Sequence, residues 1–227
     1  MKLLRTTLLI AVAAGIAASP TQAGAITHHP AREAARFIHL DRPLPVRESA
    51  RTEALEFFWY DCGHSQALEQ PLQDWTERHR ADVDLRRVPA IWQGSREERA
   101  QRGHARLYYT LERLGLVERL QTAAFRAVHT EEQDVTTEDA AADWAARQGV
   151  DQQAFRDAYR SDAVGQAVDE AAALFVRYGI NELPTVVVQG DNRTSPTSAG
   201  GVEAMPEVMD RLVAQDQQRN QQANTLF

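Results

Sequence analysis

Leu55-Glu56-Phe57-Phe58-Trp59-Tyr60-Asp61-Cys62-Gly63-His64-Ser65 is the stretch on which the reading of this chain turns. Residues 55–60 form a short apolar and aromatic run of the kind that fills a buried strand. The run stops at Asp61-Cys62-Gly63, and behind it Ala67, Leu68, Leu72 and Trp75 fall at helical spacing. Pro71 stands inside that pattern and predicts a kink. A cysteine is thereby placed at the junction of a strand and a helix. There the free N–H groups and the positive end of the helix favour a thiolate. Asp61 opposes this, because a neighbouring negative charge disfavours a second one. His64, two residues on, can carry a proton near neutral pH. Cys62 and His64 alone do not close a zinc site, so no metal is expected.

Outward from this stretch the chain alternates between strand and helix signals. Residues 83–92 read as a second strand interrupted at Pro89, and from about Arg96 the chain turns helical. Leu107, Leu111, Leu114, Val117, Leu120, Ala124 and Val128 make an apolar stripe, with breaks at Gly115 and over 130–136. Thr136-Thr137-Glu138-Asp139 resembles a capping box opening a helix that closes at Gly149. Further helices are predicted over 151–160 and 162–178. Tyr108, Tyr109, Phe125, Trp144 and Phe155 are read as core. Leu183-Pro184-Thr185-Val186-Val187-Val188 supplies a strand that a proline opens, where no ladder donor is needed. Gly190-Asp191-Asn192 is a turn, 193–201 a loop or weak edge hairpin, and Met205-Pro206 opens a last amphipathic helix. The polar, Gln-rich ending from 216 to 227 is expected to be disordered. The order describes an α/β core interrupted by a helical block. Residues 51–94 and 180–215 are its two parts and 95–179 the insertion.

The first residues read as an address. Lys2 and Arg5 precede an apolar stretch over 8–18 that is too short to span a bilayer, and Thr21-Gln22-Ala23 offers small residues for cleavage. A signal peptide over 1–23, an irregular lead-in over 24–50 and export are therefore expected. The 227-residue chain carries a net charge of −7, which argues against nucleic acid as a partner. It holds one cysteine, so no internal disulfide can form; an odd thiol in an exported protein points to an intermolecular partner or a reactive group. Lys2 is its only lysine.

These residues resemble the DsbA family of thioredoxin-fold disulfide oxidoreductases. Glu56-Phe57-Phe58 leading to Cys62-Gly63-His64-Ser65 is similar to the family's Glu-Phe-Phe before its Cys-Pro-His-Cys motif, and Glu69 matches an acid on the following helix. Leu183-Pro184 resembles the family's cis-proline loop, and the interval between Cys62 and Pro184 leaves room for the family's helical insertion. The resemblance implies an α/β thioredoxin fold with a helical insertion subdomain. It implies periplasmic disulfide exchange on cysteine-containing exported proteins without a bound cofactor, and a membrane redox partner is a further candidate. It also implies site roles: Cys62, His64, Ser65 and Pro184 at the catalytic centre, Gly63, Leu183 and Thr185 against substrate, and Glu56, Glu69 and Asp61 as tuning groups.

The departures narrow the chemistry. Ser65 replaces the family's second cysteine and Gly63 its proline, while Asp61 stands where an apolar residue is usual. The family's buried acid pairs with a lysine; here Arg87 is the expected substitute. Serine cannot attack a disulfide, so the two-cysteine oxidase cycle is excluded. Cys62 can still form a mixed disulfide that an external thiol, such as glutathione or a substrate's second cysteine, must release. Two rivals stay open. Cys-Gly-His-Ser is similar to the Cys-Gly-Phe-Ser of monothiol glutaredoxins, which have a much shorter motif-to-proline interval. A peptide-binding or chaperone module that kept the fold and lost turnover is the other.

Overall fold

The computed structural model describes residues 36–225 apart from 48 and 50; the expected signal peptide and His28-His29 lie outside them. Five strands form one sheet in the order β1-β5-β4-β2-β3. They are β1 (Ile38–His39), β2 (Thr52–Phe58), β3 (Val83–Pro89), β4 (Thr185–Val188) and β5 (Asn192–Thr194). β2 runs parallel to β3 and antiparallel to β4, and every residue of β2 is buried. A strand with helices on both faces has no solvent side, which is why 55–60 shows no polar alternation.

Successive side chains of β2 serve different layers. Ala54 packs with Leu68, Leu72 and Trp75 of α1 (Gly63–Arg78) and with Met209 and Leu212 of the C-terminal helix. Leu55 and Phe57 face Ala105 of α2 (Glu98–Arg113) and Ala171 and Phe175 of α6 (Asp162–Arg177). Phe58 reaches into the insertion, where α2, α3 (Val117–Phe125), α4 (Glu138–Arg147) and α5 (Gln152–Arg160) close a core around Phe125, Trp144 and Phe155. α3 continues into a π-helical turn, Arg126–Thr130, a tightly local irregularity that recurs at functional sites.

The helix starts follow capping chemistry. Thr137, Asp151 and Ser161 each accept a hydrogen bond from a first-turn N–H of α4, α5 and α6. Gly149 after α4 and Gly179 after α6 take left-handed φ values of 77° and 57°, which glycine adopts without a Cβ clash. α1 continues on both sides of Pro71.

Two expectations need correction, and a third holds in part. The lead-in is not wholly irregular: Ile38 and His39 pair antiparallel with Arg193 and Asn192, a contact too short to leave a periodic signal. Of the two readings of 193–201, the hairpin holds at its start, where β5 pairs antiparallel with β4, while a short helix, α7 (Pro196–Ala199), takes the place of a loop after it. The last helix, α8 (Met205–Thr225), runs through the tail that composition marked as disordered. Tertiary bonds hold it there. Asp216 is 3 % exposed and accepts from Thr52 Oγ1 at 2.8 Å, and Arg219 bridges Asp216 and Asp191.

Candidate functional site

Cys62 is the N-cap of α1, in extended conformation (φ −113°, ψ 114°). Its carbonyl accepts the first helical hydrogen bond from Gln66 N–H at 2.9 Å, and its own N–H donates to Trp59 O at 3.0 Å. The thiol is partly exposed, and Sγ lies 3.8 Å from the carbonyl oxygen of Leu183. The Leu183–Pro184 bond is cis. Residues 121 positions apart in the chain therefore meet at the thiol, because β2 and β4 pair with Phe57 opposite Thr185.

The neighbours of Cys62 divide into structural and accessible groups. Ser65 is fully buried, and its Oγ accepts from Trp59 N–H at 3.4 Å, pinning the strand end to the helix. Thr185 is buried as well, with its hydroxyl turned onto Glu182 O at 2.7 Å. Leu183 is 7 % exposed, with its carbonyl turned to Cys62 Sγ. His64 is exposed. Gly63 lies against His129: a Cβ at residue 63 would come within 2.9 Å of His129 Nε2.

Behind the thiol's helix lies a buried charge cluster. Arg87 Nε donates to Glu56 Oε2 at 3.0 Å, and Arg87 Nη2 donates to Glu69 Oε1 at 3.3 Å. The register that puts Glu56 beside Arg87 in the parallel β2–β3 pair makes the substitute for the family's lysine. Burial pushes the Glu56 carboxyl up to about 7 in spite of Arg87, and it also raises Glu69. Burial works against the charge of Arg87, but the two carboxylates prevail and raise it. One guanidinium cannot neutralise two buried carboxylates, and Glu56 Oε1 is left without a hydrogen-bond partner. A cavity of about 550 Å3 opens beside this cluster, lined by Arg47, Arg86, Arg87, Tyr108 and Glu112 among others. It includes no residue of the Cys62 motif, so its size says nothing about the thiol's chemistry.

Three residues of the surroundings carry no signal in the linear sequence. Glu182, two positions before Pro184, accepts from Ser195 Oγ at 2.7 Å and from Thr197 N–H at 2.9 Å. Burial opposes its charge, yet the Thr197 and Ser195 bonds, helped by nearby His64, hold it below the usual carboxylate range. His104 is buried and pushed down to about 4 by desolvation, against Asp61 and Asp134. It is thus neutral, with Nδ1 free to accept from Trp59 Nε1–H at 2.9 Å. His129 Nδ1 stands 3.4 Å from Asp61 Oδ1. Only their partners in the fold reveal these roles. Among the described residues no three His, Cys, Asp or Glu side chains group as a metal would require, and no helix is long and apolar enough to cross a membrane.

Comparison with known proteins adds kinship to this geometry. Residues 53–213 match the model of the DSBA-like thioredoxin domain. The chain is 34 % identical over 220 residues to the thiol:disulfide interchange protein DsbA of Burkholderia cepacia, covering 96 % of this chain and 99 % of that one. It is 33 % identical over 180 residues to DsbA of Pseudomonas aeruginosa, covering 79 % and 83 %. The crystal structure of Pseudomonas aeruginosa DsbA superposes with a TM-score of 0.76 at 32 % identity, over 82 % of this chain and 94 % of that one.

Proposed function

The chain belongs to the DSBA-like thioredoxin domain family, and from that premise we propose that it is a thiol:disulfide interchange oxidoreductase working through Cys62 alone. The observation that carries the reading is the pairing of an accessible Cys62 Sγ beside the Leu183–Pro184 loop with a buried serine at position 65. Cys62 attacks a disulfide as thiolate and keeps one half as a mixed disulfide. Ser65, held against the Trp59 amide, has no thiol with which to release it. Release falls to an external thiol: the substrate's second cysteine, or a small thiol such as glutathione. The loop backbone at 183–185 suits an extended peptide docking by strand addition.

The relatives named above act in thiol:disulfide interchange. By extension the substrates are cysteine-containing exported proteins, and the periplasm is the compartment, consistent with the leader-like first residues. Glu56, Glu69 and Asp61 tune the thiol's surroundings in this reading, and no bound cofactor takes part. A membrane redox partner is not needed for redox-neutral exchange, since every disulfide broken is matched by one formed.

The test is covalent capture. Periplasmic extracts quenched with a thiol blocker are run on non-reducing gels, and the bands are identified by mass spectrometry. Protein adducts that disappear in Cys62→Ala are expected. Glutathione as the sole adduct would narrow the activity to glutathione-linked exchange. No adduct at all, with full function retained in Cys62→Ala, would leave a peptide-binding module and overturn the proposal.

A further inference from the structure

We propose that His129, held by Asp61 and seated on Gly63, is the proton acceptor that activates the external thiol releasing Cys62 from its mixed disulfides. The inference rests on the monothiol reading above and assigns a residue to the half-reaction for which Ser65 is unfit.

Three observations converge on it. Asp61 and Gly63 flank Cys62 directly, and His129 touches both. Its Nδ1 lies 3.4 Å from Asp61 Oδ1, and its Nε2 occupies the space where a side chain of residue 63 would begin. A carboxylate only accepts, so Nδ1 is the donor to Asp61, and the neutral tautomer that satisfies this bond is the one with the Nε2 lone pair beside the thiol's neighbour. The ring is 36 % exposed, enough to meet an incoming solute. The π-helical turn Arg126–Thr130 presents it there, and Gln66 Nε2 on α1 donates to Thr130 Oγ1 at 2.9 Å to fix that turn against the helix.

The charged and titratable groups around the imidazole are few. Asp61 faces it from the loop before α1, with buried, neutral His104 on α2 feeling the same carboxylate. On its own turn Arg126 and Glu131 pair with each other at 3.1 Å and largely cancel. His64 is on α1, where its charge acts on Glu182.

The step balances without an outside oxidant. The incoming thiol gives its proton to His129 Nε2, and Asp61 steadies the imidazolium. The new thiolate attacks the substrate sulfur, forming one S–S bond as the Cys62–substrate S–S bond breaks. The electron pair leaves on Cys62 sulfur, which takes the proton from the imidazolium directly or through water. The incoming thiol is oxidised and Cys62 is reduced.

Glutathione tests this in two stages. The protein is first loaded at Cys62 with oxidised glutathione and the adduct is verified by mass. A wild-type chain that takes no glutathione overturns the exchange reading itself, before His129 enters. Release by reduced glutathione is then timed from pH 5.5 to 9.5 in acid-quenched samples. A few per cent of any thiol is ionised at pH 7 without help. That leaves a base room for a gain on the order of tenfold, at the low end of general-base catalysis. His129→Gln is expected to release about tenfold more slowly near pH 6.5 and to converge on wild type above the thiol range near 8.5. Gly63→Ala, which improves a helical position yet pushes the ring aside, is expected to show the same loss at low pH with its imidazole intact. A His129→Gln profile parallel to wild type at every pH, or a Gly63→Ala profile identical to wild type, would overturn the proposal.

Discussion

Arg87 with Glu56 and Glu69, and His129 with Asp61, are both cation–carboxylate groupings whose carboxylates lie within seven positions of Cys62 in the chain, and their surroundings give them opposite duties. The side chains of the first are 11 %, 0 % and 3 % exposed. The second pair is 36 % and 52 % exposed. In the buried cluster each charge has lost its water and depends on the others, so its members are energetically bound together. At the rim water screens both partners, and the attraction contributes little to stability. What the rim pair keeps is access: a lone pair that solutes can reach. Burial makes a charge structural here, and exposure leaves it free for chemistry.

Removing the guanidinium attacks that contrast at its strongest point. Arg87→Met leaves Glu56 and Glu69 facing each other with no counter-charge, and a buried pair broken on one side costs about 3–5 kcal/mol. Urea unfolding at pH 7 is expected to show that loss. A midpoint within error of wild type would mean that the cluster is hydrated and that the distinction between the two groupings fails.

The next effect depends on pH. The folded-state carboxyl of Glu56 lies at about 7, above its ordinary value of 4.5. The folded chain therefore holds a proton that the unfolded chain releases. The stabilisation is complete below about pH 4.5 and is lost as pH rises through about 7, a span worth on the order of 3 kcal/mol. Glu56→Gln keeps the shape without the titration. Its stability relative to wild type is expected to rise from pH 5 to pH 8, read as the difference between urea midpoints. A constant difference across that range would show Glu56 charged throughout.

The buried cluster was also the more legible of the two in sequence. Strand, cysteine and helix are local patterns, and Leu183-Pro184 opens its strand by a local rule; together they describe the α/β fold and most of the site. Arg87 could be nominated because the chain has no lysine beyond Lys2 and because Glu56 and Arg87 sit on predicted strands. His129, His104 and Glu182 had no such handle. Their partners lie 68, 45 and 13 residues away, and each is placed by packing of the insertion or of β5 and α7 rather than by spacing. The place of Ser65 in the motif points to the catalytic centre, and burial gives its hydroxyl a scaffolding bond there. The length of the C-terminal helix is hidden in the sequence for a related reason. Its polar side chains resemble those of a free tail until Thr52 and Asp191 appear as their partners.

The smallest expected change in stability separates the two groupings most sharply. Asp61→Asn removes the rim charge while leaving an amide oxygen that still accepts from His129 Nδ1. Because both partners are largely hydrated, the urea midpoint should move by less than about 0.5 kcal/mol. Kinetically the substitution acts twice, in opposite directions. A negative charge beside Cys62 opposes a developing thiolate, so its loss should quicken capture of oxidised glutathione. The same charge steadies the imidazolium, so its loss should slow release by reduced glutathione at low pH, by a few-fold if the pair acts as argued. Faster capture with slower release cannot come from general loosening of the fold, which would move both steps together with stability. If instead the midpoint drops as far as in Arg87→Met, the Asp61–His129 pair is structural, and exposure does not distinguish the two groupings.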